Sequence, residues 1–133
     1  AAGLVHAGWK GTVQRIAAKT IARMGEEFGT KPSDVCAGIG PSISVDCYVV
    51  GPEVADRFYT KFPAHANEIL TKRDGAIHLD LWAANRIQLV EAGLAENNID
   101  SANVCTSCDR TFFYSYRAAG GRTGRLAAVM ELR

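Results

Sequence analysis

The sequence predicts an α/β (α+β) fold: a layered domain with a mixed β-sheet and flanking helices. Three observations lead there. Helix-period and strand-like segments interleave through most of the 133 residues, and the short apolar runs are bounded by glycine, proline or aspartate. The last two strand-like runs are separated by Gly120-Gly121-Arg122-Thr123-Gly124, a hairpin signal foreign to pure βαβ winding.

The elements follow in order. The opening Ala1-Ala2-Gly3-Leu4-Val5-His6 is apolar and strand-like with nothing before it to pair with. It must pair with a later segment or with one outside this sequence, and an unpaired edge would favour self-association. We therefore read residues 1–133 as a single domain and as a fragment of a longer protein. Residues 12–28 read as a helix, with Thr12 as N-cap and Val13, Ile16, Ala17, Ile21, Met24 and Phe28 at helical spacing; Gly29 and Pro32 end it. Residues 35–39 read as a short buried strand and 47–50 as a second short strand. Pro52 and Glu53 open a helix with Val54, Phe58 and Phe62 on one face, and Pro63 stops it. Residues 64–74 read as loop, and 77–79 as strand. Asp80 caps a helix over 81–92 whose buried stripe is Ala83, Ile87, Val90 and Leu94, with Gly93 as terminator. Asn97-Asn98 is a turn, and 103–106, 112–116 and 125–132 read as strands, the last two as a hairpin.

Composition removes several function classes. Fifteen Lys+Arg against fourteen Asp+Glu leave a net charge of +1, which gives no bulk attraction to nucleic acid or an anionic membrane. No apolar run approaches the roughly 18–20 residues of a membrane span. With no signal peptide visible, a cytoplasmic protein is expected. Four cysteines in 133 residues are too sparse for a disulfide scaffold, so reduced thiols are expected.

His6 is the most informative titratable group. It ends an apolar run and precedes Ala7-Gly8-Trp9-Lys10-Gly11-Thr12, so a glycine turn into a helix would present it at a sheet edge. There it could bind a metal or move a proton; a core histidine bonded to a backbone carbonyl is the other reading. Trp9 suits the wall of a pocket for a planar ligand, or a core anchor. Gly38-Ile39-Gly40-Pro41-Ser42-Ile43 is a tight loop that can line a pocket but lacks the phosphate-loop pattern. Cys105-Thr106-Ser107-Cys108 is a lone C-x-x-C, without the second pair of a structural zinc site and without a helix behind it. Residues 110–133 carry five arginines against Glu131; Arg122 and Arg125 flank a turn whose N–H groups could hold an anion, and a solvated surface is the alternative. His78 and Asp80 share a side of their strand, with Asp80 read as a helix cap, and His65 has no assigned role.

Several motifs occur in a telling order: His6-Ala7-Gly8-Trp9-Lys10-Gly11-Thr12, Gly40-Pro41-Ser42-Ile43 with Cys47-Tyr48, His78-Leu79-Asp80-Leu81 with Ala84-Asn85, Cys105-Thr106, and Phe113, Ser115-Tyr116-Arg117, Thr123-Gly124-Arg125. Together they resemble the YfiH-like laccase-domain family, once labelled multicopper polyphenol oxidase and now regarded as zinc-dependent purine nucleoside phosphorylases. The resemblance implies a layered α/β fold shared with deamidating toxin domains. It implies cleavage of adenosine, inosine, guanosine or methylthioadenosine with phosphate, and an associated adenosine deaminase activity. It also implies one zinc held by a His, a Cys and a second His, the last being His6; copper is the cofactor of the older label. Lys10, Ser42, Arg122 and Arg125 are the candidates for holding substrate or phosphate. Lys10 stands where the family has Arg, which keeps the charge and loses the bidentate fork. The first His and the zinc Cys of the family lie upstream of its His-Ala-Gly-Trp motif, outside these residues, and none of the four cysteines replaces them. The expectation is that this chain alone binds zinc weakly, has little activity, and has the missing N-terminal half as its natural partner. The competing readings are a cysteine hydrolase or deamidase activated by His6, a copper-dependent polyphenol oxidase, and a non-enzymatic module.

Overall fold

Thr12 does not cap the first helix; it lies inside it, fully buried. The structure is a computed structural model that describes residues 1–132. Residues 1–8 form no strand, and the expected strand pairing for them is replaced by a loop leading into helix α1 (Trp9–Val13). Arg15 then adopts a left-handed conformation (φ 60°) and breaks the expected single helix, so that α2 runs over Ile16–Phe28. A non-glycine residue pays strain there. Arg15 has compensating partners: its guanidinium pairs with Glu91 and lies 5.3 Å from the centroid of the Phe62 ring. Gly29, also left-handed, closes α2 as its sequence position suggests.

Two small sheets follow. Strands β1 (Ala37–Ile39) and, far along the chain, β5 (Ile99–Ser101) pair in parallel, Gly38 opposite Asp100. Strands β2 (Val49–Val50), β3 (Leu70–Arg73) and β4 (Ala76–Leu79) form an antiparallel sheet in the order β2-β4-β3. Helix α3 (Pro52–Lys61) begins at Pro52 as predicted. The expected loop over 64–74 is instead a short helix, α4 (Ala66–Ile69), followed by β3. That strand buries only Leu70 and leaves Thr71, Lys72 and Arg73 outward, so it lacks the apolar alternation that marks a strand. Its turn, Asp74-Gly75, has both residues at positive φ, as a two-residue hairpin requires.

Helix α5 (Leu81–Glu91) is capped by Asp80, whose carboxylate accepts the Ala83 N–H at 2.9 Å. It is the central packing element. One core cluster, built on Phe58, Ile69 and Leu79, takes in Leu81 and Ala84 of α5; a second, Ala17, Ile21, Leu94 and Ile99, takes in Leu89. The face buried most completely is Leu81, Ala84, Asn85 and Gln88 rather than the predicted Ala83, Ile87 and Val90, which are half-buried. Two amides can occupy this face because α1 supplies their hydrogen-bond partners.

The C-terminal strands are corrected most. Residues 103–106 contribute only an isolated parallel bridge, Ser42 with Cys105, and the strand of that region is β5, four residues earlier. Residues 112–116 and 125–132 form no strand and no hairpin. Phe112, Tyr114, Tyr116, Val129 and Met130 are exposed, with the Tyr116 and Tyr114 rings lying only over the nearby Gly121 and Gly124. No helix among the described residues is long and apolar enough to cross a membrane.

Candidate functional site

The loop carrying His6 is held by a buried polar network. Thr12 Oγ1 donates to the Ala7 carbonyl at 3.0 Å and accepts from Asn85 Nδ2 at 3.1 Å. The Thr12 N–H donates to the Gly8 carbonyl at 2.8 Å, and Gln88 Nε2 donates to the Thr12 carbonyl at 2.9 Å. Asn85 Nδ2 also reaches the Leu81 carbonyl at 2.8 Å. Two of these bonds, from Asn85 and from Gln88 to Thr12, join the first turn of the chain to α5, and the bonds of Thr12 to Ala7 and Gly8 pass that anchoring on to residues 7–12.

His6 itself is exposed. With Gly8, Trp9, Lys10 and Gly11 it lines an open cavity of about 310 Å³. A Cβ at Gly8 would lie 3.0 Å from His6 Nε2, so the absence of a side chain there lets the imidazole fold back over the loop. Trp9 is half-buried, with Lys10 Nζ 5.6 Å and the Arg57 guanidinium 5.7 Å from its ring centroid. The cavity lining thus combines an imidazole, an aromatic face and the ammonium of Lys10.

The three histidines differ in their commitments. His78 Nδ1 is 2.8 Å from the Val45 carbonyl, and His65 faces Glu68 and Glu91. Neither nitrogen of His6 has a hydrogen-bond partner among the described residues.

The other sequence candidates lie elsewhere. Ser42 Oγ accepts the Trp82 indole N–H at 2.5 Å and does not line the His6 cavity. Arg122 and Arg125 are exposed; Arg125 bonds only the nearby Thr123 and Gly124 carbonyls. Of the set, the structure brings together His6 and Lys10.

A grouping that the sequence did not disclose is made by thiols. Cys47, Cys105 and Cys108 place their sulfurs within 4.8 Å of one another, with Cys47 and Cys108 at 3.4 Å. Burial works to raise the Cys105 thiol, but hydrogen bonds from Ser44 and from the backbone N–H groups of Cys108 and Ser107 outweigh it and bring it down to about 6. Hydrogen bonding to Cys47 and Cys105 pushes Cys108 up to about 12. Beside Cys47, the Tyr48 hydroxyl is raised by burial, against the opposing charge of Arg117. The Arg117 guanidinium sits 4.9 Å from the Tyr48 ring centroid and donates to the Val49 carbonyl at 2.6 Å.

The thiols are the one group of three His, Cys, Asp or Glu among the described residues able to share a metal ion, and His6 is not in it. The surroundings of His6 therefore do not by themselves make the His-Cys-His zinc site that the family resemblance implies: one donor is present.

Residues 1–133 match the family described as multi-copper polyphenol oxidoreductase laccase. A purine nucleoside phosphorylase of Bacteroides thetaiotaomicron is 41% identical over 123 residues, which cover 92% of this chain and 46% of that protein. Adenosine deaminase RL5, from an unknown prokaryotic organism, is 41% identical over 129 residues, covering 93% of this chain and 48% of the relative. The crystal structure of the hypothetical protein YfiH of Bacillus licheniformis superposes with a TM-score of 0.85 at 36% identity, over 90% of this chain and 45% of that one. The chain spans about half the length of the curated relatives it matches.

Proposed function

The chain belongs to the multi-copper polyphenol oxidoreductase laccase family, and we propose that it serves a purine nucleoside phosphorylase, with adenosine deaminase as an associated activity. Adenosine, inosine, guanosine and methylthioadenosine are the substrate class, and the cytoplasm is the setting. The observation that carries this reading is 41% identity, over 92% of the chain, to a relative named for that activity.

In phosphorolysis an oxygen of phosphate attacks C1′ of the ribose as the C1′–N9 bond breaks. The bonding pair passes to the purine, which takes up a proton, and a pentose 1-phosphate leaves. Trp9 would stack on the base, Lys10 would face the phosphate, and His6, with both nitrogens uncommitted, is the proton carrier or metal ligand of the cavity. Ser42, Arg122 and Arg125 remain candidates for substrate or phosphate contact only if further chain brings them to the cavity. Zinc bound with His6 would polarise the bound substrate or activate water for deamination; its other ligands would come from the remaining half of the family fold. That half is the proposed partner, and the exposed Leu4, Val5, Phe112 and Tyr116 are the kind of surface it would cover.

The test is base release from inosine and adenosine, followed by chromatography with and without phosphate. A longer protein carrying both halves should release base only when phosphate is present, while the 133-residue chain alone should show little. Absence of phosphate-dependent release by the longer protein would overturn the reading.

A further inference from the structure

We infer that Cys47, Cys105 and Cys108 form a three-thiolate binding site for a single zinc ion, separate in its residues from the His6 cavity. The inference does not rest on the proposed phosphorylase activity. It rests on the convergence of three of the four cysteines from two distant segments, and on the backbone that holds them there.

Cys105 is fixed first. Its segment lies in a parallel bridge with Ser42: the Ser42 N–H donates to the Val104 carbonyl at 3.2 Å, and the Thr106 N–H to the Ser42 carbonyl at 3.1 Å. The Ser44 N–H points at Cys105 Sγ at 3.3 Å, the arrangement that suits a sulfur bearing negative charge. From Cys105 the chain turns back on itself, with the N–H groups of Cys108 and Asp109 both donating to the Cys105 carbonyl, at 3.2 and 3.1 Å. That turn sets the C-x-x-C pair on one side, as in a chelating knuckle. Cys47 arrives from the opposite segment on a single 3₁₀ turn, Val45–Cys47, whose Cys47 N–H donates to the Ser44 carbonyl at 3.1 Å. The same turn is tied to β4 through His78 Nδ1 and the Val45 carbonyl.

Distances favour a metal over a disulfide. Zinc–sulfur bonds of about 2.3 Å in a tetrahedron set sulfurs about 3.8 Å apart. The present separations, 3.4 Å for Cys47 and Cys108 and none above 4.8 Å, need shifts of about 1 Å or less. A Cys47–Cys108 disulfide would require closure to about 2.0 Å and leave Cys105 without a role. Three sulfur donors and no carboxylate select a soft or borderline cation over magnesium or calcium. All three sulfurs bind as thiolates: each sulfur still protonated exchanges its S–H bond for a Zn–S bond and gives its proton to solvent. The site then carries a net charge of −1, with the fourth tetrahedral position open to water on the side of exposed Cys108.

The test is cobalt titration of the reduced, metal-free 133-residue chain. One equivalent of Co²⁺ should give sulfur-to-cobalt charge-transfer absorption with tetrahedral d–d bands, and one equivalent of Zn²⁺ should abolish both. Zinc should also lower the number of thiols titrated by a disulfide reagent from four to one. Cys36→Ser and His6→Ala should leave the bands intact. Cys47→Ser, Cys105→Ser and Cys108→Ser should each weaken cobalt binding by at least about tenfold, since each removes one of three metal–sulfur bonds. Circular dichroism checks that every variant is folded, and the thiol count needs no variant at all. Four freely titrating thiols with zinc present, bands that survive all three serine variants, or a Cys47–Cys108 disulfide that forms in spite of equimolar zinc would each overturn the assignment.

Discussion

Thr12→Val tests whether the His6 loop is held by the buried network rather than by apolar packing. Thr12 is fully buried, and its hydroxyl makes two contacts: it donates to the Ala7 carbonyl at 3.0 Å and accepts from Asn85 Nδ2 at 3.1 Å. Valine keeps the shape and removes both. The two losses differ. Ala7 is half-buried, so water can replace the donor at its carbonyl, and the cost is that of an ordinary hydrogen bond, about 1 kcal/mol. The Asn85 amide keeps its bond to the Leu81 carbonyl but strands one hydrogen in a buried site, which costs about 1–3 kcal/mol. Destabilisation of about 2–4 kcal/mol follows. With a urea m-value of about 2 kcal/mol/M, the unfolding midpoint should fall by about 1–2 M at unchanged slope. Asn85→Ala removes the other end of the same contact. The double variant should therefore fall short of the sum of the singles by about 1 kcal/mol. The His6 ring resonances in NMR should broaden as the loop loosens. A midpoint shift under about 0.25 M, or strict additivity in the cycle, would refute the reasoning.

Three further predictions address packing, the cavity and pH. Phe58→Ala should cost about 3–5 kcal/mol in urea unfolding, because Phe58 is fully buried and stacks on Phe62 with ring centroids 5.7 Å apart. Gly8→Ala should move the imidazole, since the new Cβ would meet His6 Nε2 at 3.0 Å while the Gly8 backbone (φ −65°) accommodates alanine. Stability should change by no more than about 0.5 kcal/mol, the His6 ring shifts should change in NMR, and unchanged shifts would count against the packed-ring geometry. Tyr48 is raised above its ordinary 10.0, chiefly by burial, so the folded chain holds that proton more tightly than the unfolded one. Its contribution is present below pH 10.0 and is lost as pH rises through the folded value. Tyr48→Phe should therefore flatten the alkaline fall in unfolding midpoint; an identical fall in both proteins would remove Tyr48 as its source.

What could be read from the sequence was what neighbours in the chain decide. Pro52 with Glu53, the Asp80 cap and Gly29 each act within one turn, and the structure has helix ends at all three. The break at Arg15 was hidden because its compensation is remote: Glu91 and Phe62 are brought to it by the fold. β3 was hidden because an edge strand with one buried residue has no alternation, although Asp74-Gly75 was a usable turn signal. The strand near 103 was misplaced because pairing with β1 selects Ile99–Ser101, a choice made by register with a distant partner. The thiol group follows the same rule. C-x-x-C was visible, but its third member depends on the bridge between Ser42 and Cys105, which no local pattern encodes. The apolar runs near the C-terminus show the converse. Period and composition called for strands at 112–116 and 125–132, yet a strand also needs a partner, and most of these residues, Phe112, Tyr114 and Tyr116 among them, stay exposed.

The same distinction explains why His6 stands out among the three histidines. A histidine used for packing or orientation spends a nitrogen on a neighbour, as His78 does on the Val45 carbonyl and His65 on its glutamates. At His6 the chain fixes the backbone on the far side of the ring and leaves the ring alone. The Ala7 carbonyl is held by Thr12 Oγ1, the Gly8 carbonyl by the Thr12 N–H, and Thr12 in turn by Asn85 and Gln88. Gln88 is buried for this bond even though its own Oε1 has no partner among the described residues, a cost that packing alone would have avoided with an apolar side chain. Accepting an orphaned buried carbonyl to anchor a surface loop makes physical sense if the loop's geometry matters more than the stability lost. The feature whose geometry it preserves is an exposed imidazole, with neither nitrogen bonded among the described residues, beside Trp9 and Lys10.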